Sequence, residues 1–309
     1  MLNDARYTGG SAVYGRPPAD VVELDPDARQ FSPLVPGSAS LEEAPDASLE
    51  RATVLAPPGT IERRFVLAQI LRAAKPGASL AVLAPNDKGG RRIAADLEGF
   101  GCAVATESRR HHRIARLARP ERPTGLAEAI AAGALRFDET LGLWTQAGVF
   151  SFDRIDPGTR LLLDSMPPLA GRGADLGCGI GVIGRAVLRS DKVSGFVSVD
   201  LDRRAVEAAR RNIADPRAAF RWADLREDMS GLAELDFAVS NPPFHDGGAE
   251  DRVLGQAFIR RAAASLRRGG TLWLVANRHL PYEAVLAERF ARVRLAAEAG
   301  GYKVFEARR

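Results

Sequence analysis

Residues 236–248 read DFAVSNPPFHDGG, an apolar run that ends in Asn241-Pro242-Pro243-Phe244. Two consecutive prolines remove two backbone donors and push the residue before each toward extended conformations, so the exit from this strand is rigid. Held in that way, the Asn241 side-chain carbonyl and the Pro242 backbone carbonyl are acceptors for the two N–H bonds of a planar exocyclic amine. Such an amine is a poor nucleophile because its lone pair is delocalised. Fixing the nitrogen with its lone pair aimed at an electrophilic carbon is catalysis by orientation. Phe244 offers a flat surface for the ring that carries the amine, and stacking on an aromatic is worth about 1–3 kcal/mol per base. A polymer substrate must then present its base single-stranded or flipped out of its stack. Asn241, Pro242 and Phe244 are therefore the candidate catalytic group, with Pro243, His245 and Asp246 as substrate-pocket residues. No general base is required, because the cationic product nitrogen is acidic enough to lose its proton to water or a nearby carbonyl.

A second constellation lies upstream. Asp175-Leu176-Gly177-Cys178-Gly179-Ile180-Gly181 falls where a strand gives way to a helix, and glycines there let the backbone approach a ligand closely. Gly179, Gly181 and Gly184 also satisfy G-x-G-x-x-G, and Asp200 follows at the separation of an acidic residue that binds a ribose. On this loop alone a nicotinamide oxidoreductase is a fair alternative. Three further features favour S-adenosylmethionine: Asp175 can receive donors from a cationic amino-acid ligand, Asp200 can accept both ribose hydroxyls, and the fourth strand ends in Asn-Pro-Pro-Phe. Asp224, after a third strand, can accept from an adenine amino group. Cys178 reads as a small residue in a tight loop, since a catalytic thiol wants a base nearby. His111, His112 and His279 show no ligand spacing, so no metal is expected.

These residues need elements to hold them. The C-terminal half alternates strands and helices: GADL before the glycine loop, GFVSVDLD, the helix RRAVEAARRNI, ELDFAVSN, the helix VLGQAFIRRAAASL, and TLWLVAN after Gly269-Gly270. Such alternation argues for a parallel sheet covered by helices on both faces. RVRLAAEAGGYKVFEA closes the chain as two β segments around Gly300-Gly301, an antiparallel hairpin at the sheet edge. In the N-terminal half the first 50 or so residues, rich in Pro, Gly, Asp and Ser, read as irregular structure with one or two short strands. A helix over 63–74, a strand over 78–85, and helices near 90–97 and 126–133 follow. The boundary is placed between about Leu143 and Phe152, giving domains of residues 1–145 and 146–309.

With 309 residues, 46% of them hydrophobic, the chain is long enough for two cores. It has no apolar run of membrane-spanning length and no leader of the secretory kind, so a cytoplasmic protein without membrane association is expected. Its two cysteines make no disulfide framework. A net charge of +4, carried almost entirely by arginine, gives mild support for an anionic partner. The densest basic run, residues 109–122, offers Arg109, Arg110 and Arg113 as phosphate contacts, with a solvated helix face as the competing reading.

Taken together, DLGCGIGVIG, VDLDRRAVEAAR, SNPPFHDGG, LWLVANRHLPYE and YKVFEA, with GVFSFDRIDPGTRLLL upstream, resemble the bacterial ribosomal RNA guanine-N2 methyltransferases of the small-subunit type C kind and their large-subunit relatives. The resemblance covers residues 148–309. It implies an α/β fold of tandem class I, Rossmann-like S-adenosylmethionine methyltransferase domains, the first degenerate and serving folding or RNA binding. The second has a seven-strand sheet with an antiparallel last strand. It further implies that Asp175, Gly177 and Gly179 line the methionine end of the cofactor, Asp200 lies at the ribose, Asp224 on the adenine side, and Asn241 with Phe244 at the target base; Gly181 and Asn241 are counted with the cofactor-binding residues. Residues 150–163 resemble the element that lies over the cofactor.

In the first half, Pro85-Asn86-Asp87-Lys88-Gly89-Gly90 stands where a working D-x-G-x-G loop is expected, and no Asn-Pro-Pro follows, so one active site is expected. The implied activity is methyl transfer to a guanosine amine, in 16S rRNA or the 30S subunit with 50S as a further possibility, by a monomer. Alternatives are an adenine-N6 or protein-glutamine methyltransferase, and a non-catalytic ribosome-assembly factor that binds RNA.

Overall fold

The computed structural model describes residues 10–227, 231–243 and 249–309, with side chains from residue 253 onward in the last stretch. The chain divides into two compact units, Met1–Ala134 and Leu135–Arg309. The division falls ahead of the expected boundary at 145/146, and one side chain explains why. Strands β7 (Arg136–Asp138) and β8 (Leu143–Thr145) form a hairpin whose Trp144 N–H donates to Asn212 Oδ1 at 2.7 Å, while Asn212 Nδ2 donates to the carbonyls of Trp144 and Ile180 at 2.8 Å. The hairpin is thereby tied to the second unit.

In the first unit the strands are β1 (Ser11–Tyr14), β2 (Arg29–Phe31), β3 (Leu49–Leu55), β4 (Ala74–Pro85), β5 (Ala105–Arg109) and β6 (His112–Ala118). Helices α1 (Thr60–Ala73), α2 (Ile93–Glu98) and α3 (Leu126–Gly133) complete it. The sheet order is β2-β1-β3-β4-β6-β5, parallel from β2 to β4 and antiparallel at β4/β6 and β6/β5. Alternate residues Ala12, Tyr14, Ala52, Val54, Leu80, Val82, Ala115 and Leu117 face a core shared with Phe65, Ile70 and Leu71 of α1, as the two-residue strand period requires. Inside α1, Arg63 is 1% exposed and is held by Asp96 at 2.7 Å. A buried guanidinium needs such a partner.

In the second unit come β9 (Gly171–Leu176), β10 (Val193–Asp200), β11 (Ala218–Trp222), β12 (Leu235–Ser240), β13 (Leu266–Asn277), β14 (Arg292–Ala299) and β15 (Tyr302–Arg308). The order is β11-β10-β9-β12-β13-β15-β14, with β15 antiparallel to both neighbours. The closing hairpin therefore inserts its second strand inside the sheet and leaves β14 as the edge. Helices α4 (Pro157–Ser165), α5 (Val182–Val187) and α6 (Arg203–Asn212) share one apolar face of this sheet, and α7 (Ala249–Ser265) and α8 (Glu283–Arg289) share the other. On β13, Leu272, Leu274 and Ala276 join one core while Trp273 and Val275 join the opposite one. A strand buried on both faces is expected in a covered parallel sheet.

With β11 set aside, the two sheets match strand for strand in chain order, spatial order and direction: β1 corresponds to β9, β2 to β10, β3 to β12, β4 to β13, β5 to β14 and β6 to β15. The tandem arrangement expected from the sequence is therefore present. The location of its degenerate loop is corrected. Pro85-Asn86-Asp87-Lys88-Gly89-Gly90 follows β4, the counterpart of β13, whereas the counterpart of the glycine loop follows β1 at Tyr14-Gly15. With strands of four and three residues, β1 and β2 are too short for periodicity to reveal. Register sharpens the comparison. Val54 pairs with Tyr14 as Val239 pairs with Asp175, so Ala56-Pro57-Pro58 occupies the place of Asn241-Pro242-Pro243. The first unit keeps both prolines and has lost the asparagine.

Candidate active site

The site of the second unit lies at the carboxyl ends of β9, β10 and β12, where open α/β sheets bind ligands. Asp175, the next-to-last residue of β9, is 0% exposed, and neither of its carboxylate oxygens has a hydrogen-bond partner among the described residues. Burial, with the neighbouring Asp200 charge added, pushes this carboxyl well above the usual carboxylate range. A buried carboxyl without partners is costly, so its presence in a folded protein calls for a specific reason. The loop that follows carries Gly177 at φ +85°, Gly179 at +50° and Gly181 at +88°. A Cβ built at Gly179 meets nothing within 4 Å, which leaves open space along the backbone.

Gly181 serves a different end. A Cβ there would meet Ala209 of α6 at 3.0 Å, and at Gly184 one would meet Ile213 at 2.8 Å and Phe196 at 3.0 Å. Of the G-x-G-x-x-G triplet, then, Gly179 lines the recess, while Gly181 and Gly184 let α5 pack closely.

Asp200 ends β10. Its Oδ2 accepts from Gly179 N–H at 2.8 Å and its Oδ1 from Asp202 N–H at 2.9 Å, so it shapes the glycine loop as well as lining the recess. Burial pushes its pKa from 3.8 up to about 6, against the pull of those backbone donors. Asp224 lines the same recess two residues beyond β11, and Arg226 Nε donates to its two oxygens at 2.9 and 3.0 Å. Both oxygens of this carboxylate are therefore already engaged by Arg226. The Cys178 thiol is pushed well above its ordinary value by burial, then by Asp200 and Asp175, so it is not a nucleophile at neutral pH.

Asn241 follows β12 directly and is 8% exposed. Its Nδ2 donates to Asp156 Oδ2 at 3.0 Å and to Thr159 Oγ1 at 2.8 Å, and its buried Oδ1 has no partner among the described residues. Because a carboxylate only accepts, the assignment of amide nitrogen and oxygen is fixed by chemistry. Pro242 is buried and Pro243 half-buried behind it. Phe244, His245 and Asp246 lie outside the described residues. Two adjoining recesses share Phe150, Gly177, Gly179 and Asn241; one continues to Asp200 and Asp224, the other to Asp156 and Thr159. The structure thus brings Asp175, Gly177, Gly179, Asp200, Asp224 and Asn241 together.

Asp156 and Thr159 were not singled out from the sequence, although both stand in its DPGT signature. Asp156 is the N-cap of α4, accepting from Thr159 N–H at 2.8 Å, with Pro157 at the first helical position. The basic run lies elsewhere. Arg109, Arg110 and Arg113 sit on the β5–β6 hairpin of the first unit, which replaces the solvated helix face considered above; Arg110 pairs with Asp20 at 2.9 Å and Arg113 donates to Ser108 at 3.1 Å. Among the described residues no cluster of metal-ligating side chains occurs, and no helix is long and apolar enough to cross a membrane.

The methyltransferase small domain family matches residues 140–306, from the β7–β8 hairpin to β15. The chain belongs to this family. Among its relatives, ribosomal RNA small subunit methyltransferase C of Shewanella loihica is 38% identical over 164 residues, which are 52% of this chain and 47% of the relative. Ribosomal RNA small subunit methyltransferase C of Shewanella sediminis is 31% identical over 237 residues, 75% of this chain and 68% of the relative. The chain spans about half the length of most of these curated relatives. The solved structure of the T. thermophilus 16S rRNA N2 methyltransferase (RsmC) in complex with AdoMet and guanosine superposes with a TM-score of 0.74 at 27% identity, covering 87% of this chain and 76% of that one. The family accounts for the second unit, and this solved structure extends the likeness across most of the first.

Proposed function

We propose that the protein is an S-adenosylmethionine-dependent rRNA guanine-N2 methyltransferase that acts on 16S rRNA through its second unit. The observation that carries this reading is the buried Oδ1 of Asn241, without a partner among the described residues, beside a glycine loop flanked by Asp175 and Asp200. The names of the Shewanella relatives and of the T. thermophilus enzyme support the choice of substrate.

The orphaned oxygens suit S-adenosylmethionine. Asp175 would hold its cationic amino group, Gly177 and Gly179 would admit its methionine end, Asp200 would accept from its ribose, and Asp224 would face its adenine side. When bound, this cofactor supplies a methyl group on a sulfonium as the electrophile. The rest falls to the chain's own residues. Asn241 Oδ1 and the Pro242 carbonyl accept the two N–H bonds of the guanine amine and turn its lone pair toward the electrophile. The two prolines keep those acceptors from moving, and Phe244 would stack on the base. Water or a carbonyl takes the proton from the product nitrogen, so neither His245 nor Asp246 is needed as a base; both remain pocket residues of the proposal.

The first unit, which has Ala56 in place of the asparagine, would contribute RNA binding or folding support, with Arg109, Arg110 and Arg113 as phosphate contacts. The test is to incubate the protein and labelled S-adenosylmethionine with naked rRNA, 30S and 50S particles, and to digest the RNA to nucleosides. Label in N2-methylguanosine is expected, lost in Asn241→Ala, and the preferred particle names the partner. Tight cofactor binding with no label in any RNA would overturn the assignment.

A further inference from the structure

We infer that Asp156 and Thr159 are positioning residues for the reaction, locking the Asn241 side-chain amide so that its carbonyl oxygen alone faces the substrate amine. The inference rests on the reading of Asn241 as the acceptor of that amine. An asparagine amide has two orientations related by a half-turn, and in a neutral pocket they differ little in energy. Here both N–H bonds of Nδ2 are taken, one by Asp156 Oδ2 at 3.0 Å and one by Thr159 Oγ1 at 2.8 Å. The flipped amide would set Oδ1 against an acceptor-only carboxylate and leave two buried donors facing an amine that also donates. The wrong orientation is thus penalised on both sides.

The lock is itself braced. Asp156 Oδ2 also accepts from Thr159 N–H at 2.8 Å as the cap of α4, so one oxygen joins the start of a helix to the end of a strand 85 residues away. Tyr302, the first residue of β15, lies across the same corner. A Cβ on Gly158 would fall 2.7 Å from the Tyr302 ring and 2.9 Å from Asp156 Oδ2, so the approach requires glycine. The Tyr302 phenol, pushed above its ordinary value by burial and then by the charge of the nearby Asp156 carboxylate, completes the surround. Asn241 is therefore oriented by α4 and Asp156 is braced by β15, neither belonging to the strand that bears it.

The experiment separates locking from capping. Asp156→Ser keeps a good helix cap but is too short to reach Asn241, whereas Asp156→Asn keeps an oxygen for both. With 15N-asparagine labelling, and Asn241→Ala to assign the resonance, wild type should show a side-chain NH2 protected from exchange. Asp156→Ser should exchange it at least about tenfold faster and lower kcat about 10- to 100-fold, because misplacement on the scale of 1 Å costs that much. Asp156→Asn should recover kcat to within about threefold of wild type. Thr159→Val, with Thr159→Ser as its rescue, makes the same comparison should Asp156→Ser not fold. Unchanged exchange and kcat in Asp156→Ser and Thr159→Val, or an Asp156→Asn variant as damaged as Asp156→Ser, would overturn the inference. The exchange arm needs no substrate, so a wild-type protein that methylates no guanosine would remove the functional reading while the exchange data still decide the lock.

Discussion

If Asp200 takes its proposed place at the ribose of S-adenosylmethionine, its raised pKa makes cofactor affinity depend on pH in a way that can be worked out in advance. Accepting ribose hydroxyls would favour the ionised carboxylate, yet burial holds the free protein's Asp200 at about 6. If the complex requires the ionised form, the apparent dissociation constant scales as 1 + 10^(6 − pH): about 11-fold weaker at pH 5 than at high pH, about twofold at pH 6, and within about 10% of the limit at pH 7. Half a proton per cofactor is then released at pH 6.

The same group acts on the stability of the free protein in the opposite sense. Its folded pKa lies above its unfolded one, so its contribution is fully present below about pH 4 and is lost as pH rises through 6. The interval from 3.8 to about 6, at about 1.36 kcal/mol per pH unit, amounts to about 3 kcal/mol. The groups that act on Asp200 are Asp202, itself paired with Arg204 at 2.8 Å, and the backbone donors of Gly179, Leu201 and Asp202; Asp175 and Cys178 lie beside it. Titration calorimetry with S-adenosylmethionine from pH 5 to 8, in two buffers of different protonation enthalpy, measures affinity and proton release together. Asp175→Asn distinguishes the two carboxyls, since release at pH 6 that survives in this variant belongs to Asp200. Flat affinity between pH 5 and 7, with no proton released at pH 6, would refute the reasoning.

Three further outcomes are expected. Asp175→Asn removes a buried carboxyl that has no partner among the described residues, so the thermal midpoint of the free protein should rise by a few degrees in scanning calorimetry while, in its proposed role, cofactor affinity falls at least about tenfold. Arg63→Ala removes the nearer partner of the buried Asp96 and leaves it Arg64 at 3.4 Å; urea unfolding should show the first unit destabilised by less than the about 3–5 kcal/mol of a wholly uncompensated buried charge, with ligand binding by the second unit unchanged. Charge reversal at Arg109, Arg110 and Arg113 should weaken RNA binding and flatten its dependence on salt in filter-binding titrations, and an unchanged slope would remove the β5–β6 hairpin from the RNA-binding surface.

The contrast between Asn241 and its two partners shows what a sequence can and cannot reveal here. Asn241-Pro242-Pro243 announces itself because its rigidity is local: adjacent prolines have the same effect wherever they stand. The glycine loop is equally local, and so is the turn at Gly300-Gly301. Asp156 and Thr159, by contrast, acquire their meaning from a hydrogen bond spanning more than 80 residues, and in isolation DPGT is an ordinary helix start. The first unit was harder for another reason. Its β1 and β2 are too short to carry a two-residue period, so the loop after the clearest strand, β4, is the one the sequence sets against the glycine loop, although β4 is the fourth strand and the true counterpart follows β1. Only the paired registers Tyr14/Val54 and Asp175/Val239 reveal that Ala56-Pro57-Pro58 stands in the place of Asn241-Pro242-Pro243.

The position of β15 between β13 and β14 bears on how such a chain is made. During synthesis the parallel strands, the glycine loop and Asn241 leave the ribosome well before residues 302–308, yet β13 stays an open edge until those residues arrive. Tyr302, which braces the Asp156 corner, comes with them. A nascent chain therefore holds the outline of the cleft for a time with the Asp156 corner unbraced, until β15 has been translated.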